Sequence, residues 1–168
     1  MNLRLSLVKL ISEDIGQRET HGKNRSPLID EINQKLFIPL GSPYCLSGLM
    51  VRGIIRLCDM YELKIPFKRY ASTQKFWQDV PLKYKKEIGQ MADIGIMRDV
   101  INPNLGHAFI LSDNCVDKKM KTIEYNSNPA GSRDGDGVYR SNRFTSGTRT
   151  QAFLGCVDVI QWIEDENK

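Results

Sequence analysis

Gly41-Ser42-Pro43-Tyr44-Cys45-Leu46-Ser47-Gly48-Leu49-Met50 reads as the start of a helix with a cysteine on its first turn. Ser42 is placed as the N-cap and Pro43 at the first helical position, where a missing N–H costs nothing. Cys45 then falls near the third helical position, where unpaired N–H groups and the positive end of the helix dipole favour a thiolate over a thiol. Leu46, Leu49, Met50, Ile54, Leu57 and Tyr61 come after it at helical spacing, a stripe that anchors this helix in a core. On spacing alone, a small buried hydrophobe is the better reading of Cys45, because most cysteines are that. Its partners further along the chain reverse that preference.

Working outward, Leu3, Leu7, Leu10, Ile11 and Ile15 repeat at helical spacing, with Gly16 as the stop. The polar stretch 18–25, which contains His21, reads as a loop. A second helix starts at Ser26-Pro27, with Asp30 and Glu31 in its first turn and Leu28, Ile29, Ile32 and Leu36 on its inner face. Pro39 and Gly41 break the chain before the cysteine helix, and Pro66 closes the segment after it. Ser72 to Gln78 forms a short amphipathic turn. After Pro81 the pattern becomes strand-like, with candidates at 93–98, 106–112, 120–126, 138–144 and 152–159. Helices first and strands afterwards predict an α+β domain with an antiparallel sheet.

The 168 residues fit one domain, residues 1–168, with enough chain to bury a core unaided. A net charge of +4, spread along the chain, gives little support to a nucleic-acid surface and suits an anionic polymer equally well. The four cysteines are far apart with no CxxC pair, which argues against a structural zinc site. Charged residues at 4, 9, 13 and 14 interrupt the N-terminal leucines, so no signal peptide is read there, and no run is long enough to span a bilayer. The expectation is synthesis in the cytoplasm, with any export by another route, and no membrane insertion.

His107 opens the strand Gly106-His107-Ala108-Phe109-Ile110-Leu111, and Glu124 lies near the end of Lys121-Thr122-Ile123-Glu124-Tyr125-Asn126. If a hairpin sets Ser112 opposite Lys119, the same register sets Glu124 opposite His107, within bonding reach. Asn126 shares the face of Glu124 through the two-residue period. A thiol near neutrality needs an imidazole to take its proton, and the imidazole needs an acceptor to fix its tautomer. Cys45, His107 and Glu124 are therefore read as nucleophile, base and orienter. The Cys45 N–H is one donor to the oxyanion that acylation creates; Tyr44 and Asn126 are the candidates for the second.

Each residue also has a plainer reading: a satisfied strand histidine for His107, a solvated carboxylate for Glu124. His21, in a polar loop, reads as a surface or rim residue. Cys58 and Cys156 read as core, and Cys115 as a loop-tip thiol with no base nearby. Asp134-Gly135-Asp136-Gly137 lacks the downstream glutamate of a calcium loop and is read as a turn.

Together these motifs resemble CHAP domains, the cysteine- and histidine-dependent amidohydrolases/peptidases of bacterial and phage peptidoglycan hydrolases. The likeness rests on Gly41-Ser42-Pro43-Tyr44-Cys45, on Gly106-His107 and on Thr122-Ile123-Glu124-Tyr125-Asn126. Lys23-Asn24-Arg25-Ser26-Pro27 and Gly135-Asp136-Gly137-Val138-Tyr139-Arg140 are similar to a phage-associated branch. The resemblance covers about residues 15–160. It implies a papain-like fold, with the nucleophile at a helix N-terminus packed on a C-terminal antiparallel sheet. It also implies cleavage of a peptidoglycan amide, between muramic acid and L-alanine or within the stem peptide or cross-bridge.

By position, Cys45, His107 and Glu124 take the catalytic roles and Asn126 assists. Some relatives carry glutamine directly before the cysteine, where this chain has Tyr44. Some carry an acidic calcium loop there, whereas residues 36–43 contain no carboxylate, so no metal or other cofactor is expected. No wall-targeting domain is expected within the chain. The expected partner is bacterial peptidoglycan, reached through phage lysis, a virion or a dedicated secretion machine. The competing expectations are an inactive CHAP-like wall-binding or virion structural module, and a small basic nucleic-acid-binding protein.

Overall fold

The structure, a computed structural model, describes residues 2–128 and 135–168. It begins with α1, Leu3–Ser12, capped by the Asn2 side chain on the Leu5 N–H. α2, Pro27–Lys35, starts as expected: Ser26 accepts from the Ile29 N–H and Pro27 takes the first turn. The cysteine helix runs without interruption through α3, Cys45–Gly48, a π-helical stretch, Leu49–Ile55, and α4, Arg56–Met60. Leu46, Leu49, Met50, Ile54 and Leu57 are all buried along it, so the apolar stripe does anchor this helix.

Its start differs from expectation. The N-cap is Tyr44 and Cys45 is the first helical residue. Ser42 instead turns its hydroxyl back onto the Pro39 carbonyl at 2.6 Å, closing the preceding loop rather than capping the helix.

α5, Thr73–Asp79, precedes a 3-10 turn, Leu82–Tyr84. Six strands come next: β1, Lys85–Lys86; β2, Ile94–Asp99; β3, Gly106–Leu111; β4, Lys119–Ser127; β5, Gly137–Phe144; and β6, Gln151–Val157. They form one antiparallel sheet in the order β1-β6-β2-β3-β4-β5. This is an α+β architecture: among the described residues, five α-helical segments come before the sheet's main strands and one helix after them.

The chain closes with α6, Val159–Glu166, where the sequence reading extended the last strand to Val159. Val157, Val159 and Ile160 favour a strand locally, but the Asp158 side chain accepts from the Gln161 N–H at 2.9 Å and starts a helix. Of the proposed turn at 134–137, Asp134 lies outside the described residues. Asp136 pairs with Arg18 at 3.0 Å and accepts from the Tyr139 hydroxyl at 2.7 Å. No helix among the described residues is long and apolar enough to cross a membrane.

Both faces of the sheet are buried. Ile96, Ala108, Ile110, Ile123 and Tyr125 join the helices in the main core, while Met97, Phe109, Leu111, Met120 and Cys156 form a second apolar layer. Each Ile, Leu, Phe or Met among them contributes about 1.5–3 kcal/mol on burial.

Two glycines set how closely the cysteine helix packs. A Cβ at Gly53 would lie 2.7 Å from Ile11 of α1, and one at Gly48 would lie 2.5 Å from the Tyr125 ring of β4. Tyr125 is tied in turn: its hydroxyl donates to Asp14 at 2.7 Å, and Asp14 also takes Arg52 Nε at 2.8 Å and Nη2 at 2.9 Å. This buried link joins the end of α1, the cysteine helix and β4. It holds the tip that bears Cys45 against the strand that bears Glu124.

Candidate active site

Cys45 lies at the helix tip, at the floor of a cleft of about 220 Å³ lined also by Pro43, Thr73, Gly106, His107 and Asn126. As the first helical residue it carries an N–H with no acceptor inside its own helix, so that donor is available to a ligand at the tip. The sulfur is 3.8 Å from Thr73 Oγ1, and the Ala108 N–H and the His107 side chain also interact with it.

His107, fully buried on β3, places Nε2 3.0 Å from Glu124 Oε2. An ionised carboxylate only accepts, so Nε2 carries the proton. Nδ1 has no hydrogen bond among the described residues and is the nitrogen left for the Cys45 sulfur. The three sequence-predicted residues are thus brought together in the predicted order.

The register that achieves this is not the expected one. Ile110 faces Ile123 and Leu111 faces Thr122, two residues displaced from a hairpin that sets Ser112 opposite Lys119. A shift of two keeps every side chain on its face. His107 and Glu124 therefore still meet, diagonally rather than directly.

Asn126 departs further. It sits at a register shift with φ +53°, so Ser127 instead takes the face of Glu124 and donates to Oε2 at 3.2 Å. Asn126 lines the cleft from this bulge. Tyr44 is buried in the core and does not line the cleft, which removes its side chain as a contact for substrate. His21 is exposed and does not line the cleft, as a surface position requires.

The partners that sequence reasoning missed surround Glu124. Arg143, buried on β5, donates Nε to Oε1 at 2.9 Å and Nη2 to Oε2 at 2.6 Å, and Thr122 donates to Oε1 at 2.7 Å. The bidentate guanidinium is the geometry that best holds a buried carboxylate. The available signal was the alternation Tyr139, Ser141, Arg143 on one face of β5, opposite Met120, Thr122 and Glu124.

The electrostatics stem from this arrangement. Burial opposes the Cys45 thiolate, but the neighbouring His107 imidazole, with Ala108 and Thr73, outweighs it and lowers the pKa to about 7. Burial also opposes the imidazolium, and Cys45 and Glu124 outweigh it, raising His107 to about 9. Glu124, pushed up by burial, is nonetheless held well below the usual carboxylate range by His107 and Arg143. Each group favours the charged form of the other, so the pair is biased toward thiolate and imidazolium.

The other thiols behave oppositely. Burial pushes Cys58 up to about 11, and it raises Cys156 and Cys115 as well. All four cysteines are free. Among the described residues no group of three or more His, Cys, Asp or Glu side chains is arranged to hold a metal ion.

Comparison with protein-family models, with curated proteins and with solved structures finds no match to this chain.

Proposed function

We propose that this chain is a cysteine amidohydrolase or endopeptidase with a papain-like, CHAP-like arrangement, acting on an amide of bacterial peptidoglycan. The observation that carries the reading is a buried imidazole bonded through Nε2 to Glu124 at 3.0 Å, with its other nitrogen left for a helix-tip cysteine of lowered pKa in an open cleft. The peptidoglycan substrate comes from the motif resemblance alone.

The thiolate of Cys45 attacks the amide carbonyl carbon. A C–S bond forms and the carbonyl π pair moves to oxygen, beside the Cys45 N–H. The C–N bond then breaks, and the leaving nitrogen takes the proton from His107, which becomes neutral. In the second half, water attacks the thioester as His107 accepts its proton. The C–S bond breaks, releasing a carboxylic acid and restoring thiolate and imidazolium. Glu124 stays ionised throughout and keeps the His107 ring in the orientation and tautomer that each transfer needs.

The test is digestion of purified peptidoglycan by wild type and Cys45→Ala in parallel, with mass spectrometry of the soluble fragments. Fragments released by wild type alone support the reading, and their masses name the bond. Equal release by both, or none from several wall types, overturns it.

A further inference from the structure

The acyl transfer proposed above needs two hydrogen bonds to its oxyanion, and the Cys45 N–H supplies one. The side chain before the nucleophile is Tyr44, which is buried away from the cleft. We infer that Thr73 is a further catalytic residue, whose hydroxyl donates the second hydrogen bond to the oxyanion. This rests on the reading of Cys45 as an acylated nucleophile.

The placement comes from a different part of the chain. Thr73 opens α5 and is 5% exposed, lining the cleft with Cys45, His107 and Asn126. Its Oγ1 stands 3.8 Å from Sγ of Cys45. The oxyanion forms on the carbon that has just bonded to that sulfur, so it stands next to sulfur. An oxygen at this spacing lies within range of an atom next to that sulfur, and its O–H is free to turn toward it.

The chemistry tracks the charge. In the resting site the negative charge is on sulfur, where the hydroxyl can donate to it. On attack, the sulfur pair becomes the C–S bond and the charge passes to the carbonyl oxygen. A hydroxyl rotor turns with it, and the long 3.8 Å contact to sulfur gives way to a shorter, stronger O–H···O⁻ bond, so the interaction favours the transition state over the resting thiolate. No proton leaves Thr73 in either half-reaction.

Thr73 is also held in the frame of the base. Ser72 caps α5 by accepting from the Lys75 N–H at 3.3 Å, and the adjacent Gln74 donates Nε2 to the Met97 carbonyl at 3.1 Å. Met97 pairs with His107 across β2 and β3. The hydroxyl and the imidazole are thus positioned by neighbouring strands of one sheet.

Two reactions separate this role from support of the thiolate alone. Iodoacetamide alkylation of Cys45 reads the thiolate and forms no oxyanion, whereas fragment release from purified peptidoglycan needs both. Thr73→Val, which keeps the shape and loses the hydroxyl, is expected to lower fragment release on the order of 100-fold while Cys45 alkylation changes far less. Thr73→Ser is expected to restore most of the activity. Continued slow labelling of Cys58 and Cys156 in the same alkylation reports an intact fold, and Thr73→Ala repeats the comparison with a smaller side chain.

Unchanged release from T73V and T73A, or an equal fall in release and alkylation, overturns the assignment to Thr73 while leaving the cysteine site standing. Wild-type protein that alkylates rapidly at Cys45 but releases no fragments overturns the peptidoglycan reading and this inference with it.

Discussion

Glu124→Gln isolates the residue on which the whole site converges. The substitution keeps size and shape but replaces one acceptor oxygen by an NH₂ group. If the nitrogen takes the Oε1 position, it meets the donors Thr122 Oγ1 and Arg143 Nε; at the Oε2 position it meets His107, Ser127 and Arg143 Nη2. Neither orientation avoids placing donor against donor, and both leave the buried guanidinium without this carboxylate.

Breaking one partner of a buried ion pair costs about 3–5 kcal/mol. For a chain of 168 residues that corresponds to a fall in Tm of about 6–20 °C. His107 also loses one of the groups that raise its pKa, so the imidazolium weakens and the Cys45 thiolate with it. Thermal melts at pH 8, run beside the rate of peptidoglycan digestion, measure both effects. A Gln variant within about 1 kcal/mol of wild type and with wild-type turnover would refute the role of Glu124 as the group that orients the base.

Hydrolysis should give a bell-shaped pH profile, highest between about 7 and 9, measured as kcat/KM against pH. The acid limb falls as Cys45 takes up its proton, and the alkaline limb falls as His107 loses the one destined for the leaving nitrogen; both values belong to the coupled pair. Gly48→Ala should reduce turnover by about 100-fold through displacement of the nucleophile, since its Cβ would lie 2.5 Å from a Tyr125 ring that Asp14 holds in place. The same variant should lose about 1–3 kcal/mol of stability in denaturant titration.

Much of this was legible because it depends on short-range periodicity. The apolar stripe from Leu46 to Leu57 and the Ser26-Pro27 helix start are local signals, and both appear in the structure. His107 and Glu124 were matched by parity, and parity survives a two-residue error in register. The hidden features depend on longer reach or on competition between local options. Arg143 reaches Glu124 diagonally from β5; alternation gives its face, but not the pairing of β4 with β5 that brings the two together. The bulge at Asn126 moves Ser127 onto the face the period gave to Asn126. Ser42 is a good cap by type, but the Pro39 carbonyl takes its hydroxyl.

The most direct test of the activated cysteine is alkylation by iodoacetamide across pH 5 to 10, with peptide mapping of all four cysteines in the folded protein. Cys45 is predicted to be labelled first and fastest, with a midpoint near 7, while Cys58 and Cys156 stay protected. Labelling of Cys45 with the midpoint of an ordinary thiol near 8.5, or at the same rate as the other three, would contradict an activated cysteine at the helix tip.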